Sequence, residues 1–247
     1  MIFLYTDFGH EGPYLGQLRA VLAREAPQET VIDLMHDVPP CDPRAGAYLL
    51  AALADAIPAG SIVLGVVDPG VGTEAREPVA LHAGGRWYVG PGNGLFTIAA
   101  RRTAEVDVWR ITWAPERLSA SFHGRDLFAP VAAMLARGEA PPGEPAGPSL
   151  LGPEDWPDDL AEIVYIDHWG NAITGLRAAN VERTRALDVR GARCRFARTF
   201  AQAPPQEAFW YENSCGLAEI AVDRGSAREL LRLRVGDPVR VTAGGQI

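Results

Sequence analysis

Hydrophobic and polar residues along the first half of the chain switch between two periods. Residues 2–5 form a short apolar run that stops on Thr6-Asp7-Phe8-Gly9, after which Tyr14, Leu15, Leu18, Val21 and Leu22 recur at helical spacing. Residues 31–35 predict a second strand, and 45–56, opened by Asp42 and Pro43, a second helix. Residues 61–67 are apolar throughout and rich in β-branched side chains, as strands buried on both faces are. This rhythm predicts a parallel sheet flanked by helices. A hairpin is expected over 78–82 and 86–89 about Gly84-Gly85, then a strand over 106–111 and a helix from about Asp126 to Arg137.

The pattern then changes. Proline and glycine dominate 138–159, which predicts an interdomain linker. Short strand-like runs at 163–166, 186–189, 217–221 and 238–242, set between turn signals, predict a small β-rich domain over 160–247. The expected organisation is an N-terminal α/β domain with a parallel sheet (1–137), the linker, and this second domain. No internal repeat is present.

Composition narrows the function. The chain has 247 residues, 47% hydrophobic and 22% charged, which is ordinary for a soluble globular protein. No stretch approaches the ~20 apolar residues of a membrane span, and the N-terminus lacks a basic signal-like region, so a cytoplasmic protein is expected. Every basic side chain is arginine, and the net charge is −8, which argues against a nucleic-acid partner and leaves small neutral or cationic substrates. The cysteines, Cys41, Cys194 and Cys215, are scattered and odd in number, and the histidines show no metal-ligand spacing, so no metal is expected. "GPGNGLFT", from Gly90 to Thr97, lacks the spacing of a dinucleotide fingerprint and reads as a turn.

Three stretches concentrate the remaining chemistry. Asp7 and Asp68 each follow a predicted parallel strand, so both should lie on the rim where such sheets bind ligands, although either could simply cap a turn. "VVDPGVGTEAR" carries Asp68 and Arg76, and its glycines are expected to let backbone approach a ligand closely. "SFHGRDLFAP" sets His123 before a helix, where it would stay neutral and face a rim carboxylate; Asp126 could be the N-cap. In the second domain, "YIDHWGN" and "YENSCGLAEIAV" offer Asp167, Trp169, Asn171, Asn213, Ser214 and Glu219. Turn formation and core packing would explain some of these. Aromatic, amide and carboxylate groups on loops also suit a purine with a ribose and an amino acid.

Together "TDFG", "VVDPGVGT" with Arg76, "FHGRD", "DHWGN" and "NSCGLAEIAV" resemble the S-adenosyl-L-methionine (SAM) hydroxide adenosyltransferases, relatives of the SAM-dependent fluorinase and chlorinase. The resemblance covers nearly the whole chain apart from 138–159. It implies an α/β domain followed by a smaller β-barrel-like domain, and a homotrimer with SAM held between subunits. It further implies hydrolysis of SAM to adenosine and L-methionine with no cofactor. Asp68, Arg76 and His123 match the family's water-activating triad, and Asp7, with Phe8 beside it, the acid that holds the ribose. Asp167, Trp169, Asn171, Asn213, Ser214 and Glu219 fall in the stretches that hold adenine and the methionine part.

The chain departs from the family in three places. The arginine usually stands one residue nearer the aspartate, at Ala75, so the loop is expected to bulge by one residue. Gly12 replaces an acid, which would shift contact with the substrate ammonium to Asp167 or Glu11. Cys215 stands where the fluorinase has arginine. Displacement at the ribose C5′ expels a neutral thioether and needs no general acid; it needs an oriented, activated water. A fixed carboxylate at Asp68 would repel a halide, and only ten residues separate Arg76 from Trp87, without the fluorinase insertion. A hydrolase is therefore expected over a halogenase, with a non-catalytic SAM or adenosine sensor as the alternative and a nicotinamide oxidoreductase weaker still.

Overall fold

A computed structural model describes residues 1–74 and 76–243, which divide into a first unit, Met1–Asp155, and a second, Trp156–Ile247. In the first unit β1 (Ile2–Thr6), β2 (Val31–Met35), β3 (Ile62–Val66), β4 (Pro78–Ala83), β5 (Arg86–Pro91), β6 (Val106–Ile111) and β7 (Gly143–Ala146) form one sheet in the order β2-β1-β3-β5-β4-β6-β7. β2, β1, β3 and β5 run parallel; β4, β6 and β7 pair antiparallel. The parallel sheet that the sequence predicts is therefore one half of a mixed sheet. Every residue of β1 and β3 is buried, as expected for strands covered on both faces.

Among the described residues, four α-helices flank this sheet. α1 (Tyr14–Glu25) turns Leu18 and Leu22 toward a core shared with Val131, Ala132 and Leu135 of α4 (Ala129–Ala136). α2 (Pro43–Leu53) begins as the sequence indicates: Asp42 accepts from the Ala45 N–H, and Pro43 fills the first turn. It packs beside α3 (Thr97–Arg101), and the Tyr5 hydroxyl donates to the Gly46 carbonyl. The helix expected from Asp126 opens two residues earlier, in a wide π-helical turn over Gly124–Phe128 that runs into α4.

Residues 143–151 correct the expected linker, because they belong to the first unit. β7 adds to the sheet edge beside β6, pairing Pro145 with Trp109; an edge strand tolerates proline because only one side of its backbone needs a partner. A 3₁₀ turn at Pro148–Leu151 then buries Leu151, whose carbonyl accepts from Gly94 N–H at 2.7 Å.

In the second unit β8 (Leu160–Ile166), β9 (Ala172–Arg177), β10 (Ala186–Val189), β11 (Ala192–Phe196), β12 (Ala208–Glu212), β13 (Leu217–Val222) and β14 (Val239–Thr242) form a sheet in the order β14-β10-β11-β12-β13-β9-β8. Its two ends meet where Glu162 bridges Pro238 and Ile163 N–H donates to Asp237 O at 3.0 Å, so the sheet is nearly closed and barrel-like. Trp210, Leu187, Cys194 and Ile220 fill its interior. A short helix, α5 (Ala227–Leu231), follows β13.

Candidate functional site

β1 lies between β2 and β3, so the parallel order reverses direction at β1 and opens a crevice beyond the strand ends. Thr6 and Val66 are paired in register, which brings Asp7 and Asp68 together on that rim across a sequence gap of 61. Asp7 accepts the Cys41 N–H at 2.9 Å. Burial raises the Asp7 pKa above the usual carboxylate value; backbone hydrogen bonds oppose the rise, and the Asp68 charge adds to it.

The loop after β3 carries Asp68 and returns Arg76 onto it. Arg76 Nε donates to Asp68 Oδ1 at 3.1 Å, and Nη2 donates to Oδ2 in a second, shorter contact. Nη2 also lies 3.0 Å from His123 Nδ1, and the guanidinium stands over the Phe128 ring. Side-chain exposure is 5% for Arg76 and 4% for Asp68, so this pair is shielded from the water that weakens surface pairs. The one-residue bulge expected at Ala75 lies outside the described residues, and Arg76 reaches Asp68 and His123 together. Burial lowers the His123 pKa, and the Arg76 charge lowers it further; Asp68 and Asp126 pull the other way.

Two supports hold this loop. Gly92 N–H donates to Glu77 O at 2.7 Å, and Asn93 Nδ2 donates to Val67 O at 2.8 Å, so the "GPGNG" turn clips both its ends. Gly72, at φ +75°, would place a Cβ 2.1 Å from the Ala120 carbonyl oxygen. The close approach of Gly72 is made to the loop that leads to His123, whereas the approach expected of these glycines was to a ligand. Asp126 is no simple cap: it accepts from Ser119 N–H at 2.9 Å and pairs with Arg125, folding that same loop back on the helix.

Asp7, Phe8, Cys41, Asp68, Phe122 and His123 line a cleft of about 80 Å³, room for a few waters. Phe8, Tyr14 and Phe122 cluster at ring separations of 5.4 to 5.9 Å, with Tyr14 half exposed. Cys41 and Tyr14 escape sequence reading as site residues, since no motif marks them, and Phe122 opens "FHGRD" without being singled out.

The second unit's predicted residues gather around one cavity of about 840 Å³, within the range of small-molecule sites. Trp169 is 72% exposed at its rim and is not a core residue. Asp167 accepts from the Asn171 backbone at 2.8 Å and from its amide at 3.0 Å, closing the turn. Asn213 donates to Glu219 at 2.9 Å and accepts from the Cys215 and Leu217 N–H groups, so its amide shapes the loop that presents Ser214. Buried Glu219 also accepts from the Tyr211 hydroxyl at 2.5 Å; burial raises its pKa while both hydrogen bonds resist. Tyr211 and Phe200 line the cavity too and were not anticipated, although Tyr211 opens the "YENSCG" stretch.

Among the described residues no group of three or more histidine, cysteine or acidic side chains could hold a metal ion. No described helix is long and apolar enough to cross a membrane.

Comparison with known proteins identifies a family for the chain. Residues 2–144 match the SAM hydroxide adenosyltransferase N-terminal domain and residues 161–240 its C-terminal domain. A protein of Thermus thermophilus named (R)-S-adenosyl-L-methionine hydrolase is 43% identical, over 97% of this chain and 98% of its own. A fluorinase of Actinopolyspora mzabensis is more distant, 25% identical over 98% of this chain and 97% of its own. The crystal structure of an uncharacterized conserved protein from Thermotoga maritima superposes with a TM-score of 0.87 at 27% identity, covering 98% of this chain and all of that one.

Proposed function

The chain belongs to the SAM hydroxide adenosyltransferase family, and from that membership we propose that it hydrolyses S-adenosyl-L-methionine to adenosine and L-methionine. The observation that carries the reading is the shielded Asp68–Arg76–His123 group beside Asp7 on the rim of the first unit's sheet.

A water oxygen attacks the ribose C5′. The new C–O bond forms as the C–S bond breaks, the electron pair goes to sulfur, and the sulfonium becomes the neutral thioether of methionine. The water gives up one proton. Arginine can only donate, so His123 Nδ1 accepts from Arg76, and the neutral ring carries its hydrogen on Nε2. That ring can orient the water through Nε2–H and has no free basic nitrogen. Asp68 keeps lone pairs beyond those Arg76 engages and takes the proton, while Arg76 offsets the charge that develops. Asp7 holds the ribose hydroxyls. The purine and amino-acid parts fall to the aromatic, amide and carboxylate groups around Trp169, Asn171, Ser214 and Glu219.

The reaction uses no metal or cofactor, and the enzyme is a cytoplasmic homotrimer. What supports the trimer is the division of labour: proton-handling groups lie in the first unit and ligand-sized lining groups in the second. The relative's name specifies the R configuration at sulfur, and the same epimer is the substrate here. Incubation with purified (R)-SAM in excess EDTA is expected to release adenosine and methionine in equal amounts, and (S)-SAM much less. Tight binding without turnover would make the protein a sensor instead.

A further inference from the structure

A hydrogen-bonded chain runs from the surface of the first unit to the loop that carries Asp7 and Phe8. Arg19 Nε donates to Asp33 Oδ1 at 3.2 Å, and both side chains are nearly half exposed. Asp33 Oδ1 lies 3.0 Å from His36 Nε2, and His36 Nδ1 lies 2.8 Å from Thr6 Oγ1. Thr6 Oγ1 in turn accepts from the Phe8 N–H at 3.3 Å. Thr6 and His36 are both fully buried, so each polar atom between Asp33 and Phe8 must be satisfied within the chain.

One proton arrangement satisfies all of them. The Thr6 oxygen accepts from Phe8 and has one hydrogen to give, which goes to His36 Nδ1; the ring hydrogen then sits on Nε2 and is donated to the Asp33 carboxylate. Arg19 keeps Asp33 ionised, holding its pKa below the usual carboxylate value. His36 also grips the same loop from its far end, because its carbonyl accepts from Gly9 N–H at 2.7 Å. Thr6 O accepts from Val38 N–H at 3.3 Å, tying the chain that leaves His36 to the end of β1. The three residues 7–9 are thus held at both ends by one buried histidine, which no sequence motif singled out.

We propose that His36 is a positioning residue for the nucleoside part of the substrate: aligned by Asp33, it fixes Asp7 and Phe8 in the cleft through Thr6 and through its own carbonyl. This rests on the reading of the cleft as an adenosine-forming site. Asp68, Arg76 and His123 make no bond to this chain of residues, so its loss should weaken nucleoside binding and spare the proton-handling step.

The test uses the intact protein, with adenosine affinity read by calorimetry and KM and kcat for SAM measured alongside. Thr6→Val removes the hydroxyl and keeps the branched strand residue, and Asp33→Ala acts at a site exposed enough to leave folding intact. Each is expected to raise the adenosine Kd and the KM about tenfold, as loss of one buried hydrogen bond implies. kcat should stay within about threefold of wild type. Thr6→Ser, which keeps the hydroxyl, should bind as wild type does. Folded Thr6→Val and Asp33→Ala proteins with wild-type Kd and KM would overturn the role of His36. A wild-type protein that neither binds adenosine nor consumes SAM would instead overturn the functional reading beneath it.

Discussion

At the scale of single residues, the direction of one hydrogen bond assigns two roles. His123 Nδ1 is engaged by Arg76, so in the proposed mechanism the histidine would orient the water and the carboxylate of Asp68 would be the base. Asp68→Asn should therefore lower kcat by at least about 100-fold. His123→Gln, which can set an amide N–H near the ring Nε2 position, should retain more activity than His123→Ala. The pH dependence follows from the lowered His123 pKa. As pH falls below the ordinary histidine value of 6.5, protonation begins later in the fold than in the unfolded chain, so stability declines on that side. Once the ring does charge, Nδ1–H faces the Arg76 donor. The kcat profile should consequently show an acid limb below 6.5 in stopped assays; a rate unchanged down to the pH at which the fold is lost would remove His123 from the mechanism.

Among the elements, the loop between β3 and β4 matters most. It is fastened by Asn93 and Gly92 at its ends and by Gly72 against Ala120 in its middle, which joins the Asp68 side of the site to the His123 side. Gly72→Ala meets both a left-handed φ and a carbonyl oxygen 2.1 Å from the new carbon. It should cost about 1–3 kcal/mol of stability by denaturant melts. It should also reduce kcat by at least about tenfold, because a small shift of the loop separates Arg76 from His123. Arg76 meets Asp68 through a long side chain that returns across the loop.

For the whole molecule, the proposed function gives the two units different halves of the chemistry, and the proposed trimer would unite them between subunits. Light scattering should give a mass near three chains. Asp68→Asn and Trp169→Ala proteins, each impaired alone, should regain activity when dissociated and reassembled together, since some sites would then draw an intact half from each. Absence of any recovery would count against sites shared between subunits.

Local pattern determined the parts whose cause is local. The buried runs of β1 and β3, the Asp42-Pro43 start of α2, and the two acids that follow parallel strands are all written in residue type and period, and the motifs identified the family. β11 was missed because Arg193 and Arg195 alternate with buried Cys194, halving its apolar signal, and β7 because a proline is permitted on an edge that only the finished sheet defines. The hydrogen-bond direction at His123, the fastening of Gly72 to Ala120, and the buried path through His36 depend on atoms brought together across 30 to 48 residues of sequence. The His36 path exists because β1 and β2 lie side by side, and α4 packs against β3 where Arg76 meets His123; only the tertiary structure decides those adjacencies.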